Sequence, residues 1–144
     1  MLGRLARWLR LAGFDASYTP AVADLALAGR ARAEQRWLLT RNRRLAGVAG
    51  PRALLLRART TGEQVAELRR RLALTVRPEL FLTRCSCCNA SLEAVPGDVV
   101  RERVPPYVAI HAGRFMECPG CGRVYWPGTH VARIARTLGE WFPS

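Results

Sequence analysis

The sequence predicts an α/β fold, a mostly parallel sheet with helices, followed by a small C-terminal zinc ribbon. Three observations carry this. Helical periodicity alternates with short apolar runs over residues 1–76. Two C-x-x-C pairs then follow, Cys85 with Cys88 and Cys118 with Cys121. The length of 144 residues and the apolar fraction of 49% suit one small domain plus a metal-stapled module. The expected division is 1–76 for the α/β domain and 77–144 for the zinc module, with a C-terminal helix.

Residues 1–11 read as a helix, with Leu2, Leu5 and Leu9 on an apolar stripe and Gly13 as its C-terminal cap. Arg4, Arg7 and Arg10 recur every three residues on the other side. They are either a solvated basic face or a ridge that contacts phosphates. Residues 14–18 read as a short strand, punctuated by Thr19-Pro20. Residues 21–33 read as a helix with Asp24 near its start, where the helix dipole favours a carboxylate. Residues 36–40 form a short apolar run, as in a strand buried on both faces. The polar residues that follow, Arg41, Asn42, Arg43 and Arg44, fall at the strand edge where α/β folds place ligands. Residues 52–56 give a further strand. Thr60 and Thr61 open a helix to about Leu72, with Glu63 and Gln64 as capping-box partners and Val65 and Leu68 inward.

Each cysteine pair can aim two sulfurs at one ion, and two such turns complete a tetrahedral site. Gly122 suits the second turn because glycine tolerates positive φ, and Asn89 serves the first less freely. Structural zinc is favoured over a disulfide or free thiols. Cys87 is read as a spare small residue. The long segment between the pairs is expected to be strand-rich, and residues 124–126 to form a strand leaving the second knuckle. Thr129 is expected to cap a last helix over 131–142.

Twenty-three basic residues, all arginine, face eleven acidic ones, for a net charge of +12. Base composition accounts for arginine over lysine, but not for the excess of positive charge. An anionic polymer is the favoured partner. No apolar run approaches a membrane span, and arginines interrupt the N-terminal segment, so no signal peptide is expected. C-x-x-C spacing without a leader fits a reducing compartment, and the expected location is cytoplasmic.

The blocks MLGRLARWLRLAGFD, RWLLTRNRRL, RCSCCNASL and CPGCGRVYWPGTH occur in this order along nearly the whole chain. In them the chain resembles the Mut-seven C-terminal RNase domain family, a PIN-like nuclease fold followed by a zinc ribbon. The resemblance implies a PIN-like layer over residues 1–76 and zinc on Cys85, Cys88, Cys118 and Cys121. It implies that Tyr125, Trp126, Gly128, Thr129 and His130 belong to a family signature. It also implies RNA as substrate and phosphodiester cleavage assisted by Mg or Mn on clustered carboxylates. The family pattern has an acid in a strand before the first helix, which is expected to be absent from a chain starting at Met1. Its later strand ends in Thr-Arg-Asp, where this chain has Thr40-Arg41-Asn42. Asp24 and Asn42 are therefore the candidate catalytic residues. Arg4, Arg7, Arg10, Arg41, Arg43 and Arg44 are the candidate RNA contacts.

His130 is expected to pack or hydrogen-bond, with a catalytic role as the alternative. The four tryptophans are expected in the core, and Tyr107 and Phe115 are the candidates for stacking on unpaired bases. Two further readings stand beside a ribonuclease: a catalytically inactive RNA- or ribosome-binding module, and an adaptor that binds a protein partner through the ribbon.

Overall fold

A computed structural model describes residues 2–143. The expected first helix begins at Met1, which lies outside the described residues, as does Ser144. The chain divides into two compact units, one of Met1–Leu5 with Tyr18–Leu74 and one of Ala6–Ser17 with Thr75–Ser144. Residues 6–17, read from the sequence with the α/β layer, thus cluster with the C-terminal part.

Helix α1, Gly3–Leu11, buries Leu5 and Leu9 as its periodicity predicts and leaves Arg4 and Arg7 exposed. It ends at Gly13, whose φ is +102°. The Gly13 and Phe14 N–H groups close the last turn on the Arg10 and Leu9 carbonyls, each at 2.9 Å. A Cβ on Gly13 would stand 2.7 Å from the Leu80 carbonyl oxygen, so both conformation and space require glycine.

In the first unit, α2 (Asp24–Ala33) starts three residues later than expected. Ala21 has φ +61°, outside the helical region, so the helix starts beyond it. Strands β1 (Leu38–Thr40) and β2 (Ala53–Leu55) pair in parallel, Leu39 opposite Leu54. A crossover helix the sequence reading missed, α3 (Arg43–Val48), joins them. Its cap is Asn42, whose side chain accepts the Arg44 and Leu45 N–H groups. Ala28, Leu38 and Leu45 form the core between these elements. Helix α4, Thr61–Leu72, is capped by Thr60 as expected and buries Val65 and Leu68. Trp37, expected in the core, is 47% exposed.

Residues 14–18, all but the last in the second unit, are not a strand. Their polar groups bond to side chains: Ala16 N–H donates to Asn89 Oδ1 and Ala16 O accepts from Arg10 Nε. With those groups satisfied, no ladder is required. Trp8 packs on Trp141 with ring centroids 4.8 Å apart, and Phe14 on Phe142 at 5.8 Å.

The segment between the knuckles forms two short strands but also carries helices that the strand-rich expectation lacked. It holds β3 (Glu93–Val95), α5 (Gly97–Val100), a 3-10 turn (Arg101–Arg103), α6 (Pro106–His111) and β4 (Phe115–Glu117). Pro106 sits in the first turn of α6, where its missing N–H costs no bond. Val100, Val104 and Phe115 make the core, with Val108 and Ala112 packed against it, so the apolar residues recur every four positions rather than alternating. β4 pairs antiparallel with β3 and with β5 (Val124–Tyr125). The last helix, α7 (Thr129–Trp141), is preceded by Gly128 at the cap position; Thr129 is its first residue rather than its cap.

Candidate functional site

The two knuckles fold alike. In the first, Cys85 N–H donates to Ala90 O at 2.8 Å and Asn89 N–H to Cys85 O at 3.0 Å. In the second, Cys118 N–H donates to Arg123 O and Gly122 N–H to Cys118 O, both at 2.9 Å. Asn89 and Gly122 occupy matching places with φ of +76° and +78°. The β4–β5 hairpin holds the second knuckle, and a bridge between Arg84 and Ser91 closes the first. Arg103 donates to both Glu117 and the Gly122 carbonyl beside the second knuckle.

The Sγ atoms of Cys85, Cys88, Cys118 and Cys121 all lie within 4.8 Å of one another. None is in a disulfide. Zinc–thiolate bonds of about 2.3 Å in a tetrahedron place sulfurs about 3.8 Å apart. Cys85 and Cys121 stand at 3.7 Å and Cys88 and Cys118 at 3.1 Å. A Cβ on Gly120 would come within 3.2 Å of Cys88 Sγ, so the second turn leaves room for the sulfurs alone. The donor set fits a zinc-type ion. Cys87, read as a spare, stays outside the group and is exposed.

Tyr125, half-buried on β5, brings its hydroxyl to 3.0 Å from Cys85 Sγ. Burial works against ionising Cys85, yet the Tyr125 hydroxyl and the Cys88 and Cys87 N–H groups outweigh it and lower the thiol to about 6. For Cys88 the Ala90 N–H favours the thiolate, but Cys118, burial and the other sulfurs push the thiol up to about 12. For Cys121 the Arg123 N–H favours the thiolate, but desolvation, Cys118 and Cys85 raise the thiol. Four sulfurs this close cannot all carry charge unless a cation neutralises them. The part played by Tyr125 had no signal in periodicity or spacing; only its place in the resemblance marked it.

In the other unit the structure brings Asp24 and Asn42 together. Asp24 is the first residue of α2, and its Oδ2 accepts from Asn42 Nδ2 at 3.3 Å. Thr40, at the end of β1, accepts the Asn42 N–H at 3.0 Å. The pair therefore lies at the C-terminal edge of the parallel strands, with Arg41 half-buried and Arg43 and Arg44 exposed alongside. Asn42 Oδ1 is taken by the α3 cap, at 2.9 Å from Arg44 N and 3.3 Å from Leu45 N. What it turns to Asp24 is an N–H₂ donor. As folded, the pair offers a hard cation one carboxylate and does not fit a dedicated Mg or Mn site. Among the described residues, the cysteine group alone gathers three or more metal-binding side chains.

Arg10 leaves the expected ridge. It is only 7% exposed, and its guanidinium donates to the Ala16, Ser86 and Cys87 carbonyls. Phe115, a stacking candidate, is a core residue at 4% exposure. Tyr107 is exposed and stacks on His111 with centroids 4.0 Å apart. His130 is exposed in the first turn of α7, outside the thiol group.

A parallel α/β layer together with a four-thiol centre drawn from two knuckles, one of them carried by an antiparallel hairpin, defines an α/β protein with a metal-ribbon module. The particular family follows from the whole chain: the model of the Mut7-C RNAse domain matches residues 1–138, and the protein belongs to that family. No curated protein and no solved structure matches the chain. No helix among the described residues is long and apolar enough to cross a membrane.

Proposed function

We propose that this protein binds RNA as a member of its ribonuclease family, and that the Asp24–Asn42 site is one carboxylate short of efficient metal-dependent cleavage. The observation that carries this is the pairing of Asp24 with an amide, beside Arg41, Arg43 and Arg44, at the ligand-bearing edge of the parallel strands. The net charge of +12 and the exposed Arg4 and Arg7 favour a phosphate backbone as partner. Zinc on Cys85, Cys88, Cys118 and Cys121 supports the fold of the ribbon. Arg10, bonded inward, is not among the RNA contacts. Four free thiolates suit a reducing environment, which supports a cytoplasmic location.

The second reading is an active nuclease. A bound Mg or Mn supplies Lewis acidity toward a phosphodiester. Such ions are held by as few as one or two carboxylates when substrate phosphates complete the shell. Asp24 is the residue that would contribute the carboxylate. Asn42 would have to release its cap to offer an oxygen.

RNA binding is tested by titrating a labelled single strand at several salt concentrations. The expected result is a steep fall in affinity with salt. Arg4→Gln with Arg7→Gln should weaken binding and reduce the log–log slope by about one per lost contact. Unchanged affinity at low salt would remove these residues from the interface. Salt-insensitive association with a protein would favour the adaptor reading.

A further inference from the structure

The knuckle cysteines account for the metal ligands but not for what holds the first knuckle in place. Arg10 Nη1 donates to the Ser86 and Cys87 carbonyls, each at 3.1 Å. Its Nε donates to Ala16 O at 2.7 Å, on the segment that follows α1. The two knuckle carbonyls lie between ligands Cys85 and Cys88, on the turn that sets the direction of both sulfurs. Asn89 answers from the knuckle side: its Oδ1 accepts the Ala16 N–H at 3.0 Å and its Nδ2 donates to Asp15 Oδ1 at 2.6 Å. Four hydrogen bonds made by the Arg10 and Asn89 side chains therefore join residues 10–16 to residues 86–89.

A buried guanidinium beside a four-thiolate centre has a second consequence. Four thiolates around a divalent ion carry a net charge of about −2, and a buried cation nearby offsets part of it. The planar fork also lets Nε hold Ala16 O while Nη1 holds both knuckle carbonyls, which the single nitrogen of an ammonium cannot do in the same geometry. The position is one that a surface-ridge reading assigns to RNA, yet its side chain is almost fully buried.

We infer that Arg10 is a positioning residue of the metal centre: it fixes the Cys85–Cys88 turn through the Ser86 and Cys87 carbonyls and so sets the metal affinity of the whole site. The inference rests on the four cysteines binding metal and is independent of the RNA reading. Outer-shell partners of this kind typically change metal affinity about 10–100-fold when removed.

The test titrates Co(II), then competing Zn(II), into the full chain and follows the thiolate-to-cobalt absorption. Arg10→Met, which keeps an unbranched apolar stem and loses the donors, should bind about 10–100-fold more weakly and give an altered cobalt spectrum. Arg10→Lys, which keeps charge and loses the fork, should fall between. Arg136→Gln, exposed on α7, is the control and should match the wild type. If Arg10→Met does not fold, Arg10→Lys alone is decisive, with wild-type affinity and spectrum overturning the inference. Wild-type affinity in Arg10→Met likewise overturns it. A wild-type chain that binds no cobalt overturns the metal centre itself, a result distinct from an Arg10 variant that behaves as wild type.

Discussion

Asn42 Nδ2 donates to Asp24 Oδ2 at 3.3 Å, so the carboxylate at the edge of the parallel strands faces an amide rather than a second acid. The same asparagine caps α3 with its oxygen. Aspartate caps as well as asparagine and suits the helix dipole, so Asn42→Asp should keep the fold. It would place two carboxylates together and create the donor set a hard cation prefers. The expected outcome is a melting temperature that rises with Mn in Asn42→Asp and stays flat in the wild type. At ten times the dissociation constant the gain is about 1.4 kcal/mol. Equal responses in both chains would contradict the one-carboxylate account.

Removing zinc with a chelator, or Cys121→Ser, should unfold residues 75–144. The apparent binding energy of structural zinc is about 10–16 kcal/mol at neutral pH, comparable to the whole stability of a small domain. Loading must deprotonate the thiols, including Cys88 at about 12, and releases protons, so it should weaken as pH falls. Thermal melts with and without chelator check this, and superimposable curves would refute a structural metal.

Glu67 is buried and accepts the Arg57 and Ala58 N–H groups, at 3.1 and 3.0 Å, and the Arg71 guanidinium at 2.8 Å. Burial alone would raise its pKa, but these partners outweigh it and hold the carboxyl below its ordinary 4.5. A carboxyl depressed on folding stabilises the fold fully above its unfolded pKa and loses that stabilisation as pH falls through the folded value. Glu67→Gln should cost about 1–3 kcal/mol at neutral pH and flatten the acid limb of the stability curve. Urea melts across the acid range measure both, and an unaltered acid limb would count against the assignment.

The cysteine centre was legible in sequence because its information is local. Spacing aims the two sulfurs of each pair, and Asn89 and Gly122 supply the turns. β1, β2 and the Thr60 cap were legible for the same reason. The fate of Arg10 was not: three-residue spacing marks a helix face, but only the fold decides whether that face meets water or the carbonyls of residues 86 and 87. The helices between the knuckles were hidden because their apolar residues, Val100, Val104, Val108 and Ala112, lie across proline and glycine breaks that read as strand punctuation. Helix α3 carried its own signal, an asparagine before two arginines and a leucine, but the same polar residues also suit the end of a parallel strand.

The most direct test of the functional account is a labelled single-stranded RNA incubated with Mn and the wild type, Asp24→Ala or Asn42→Asp. The account predicts that the wild type binds the strand with little cleavage and that Asn42→Asp gains cleavage. Mn-dependent cleavage by the wild type that Asp24→Ala abolishes would contradict it and establish a working single-carboxylate nuclease.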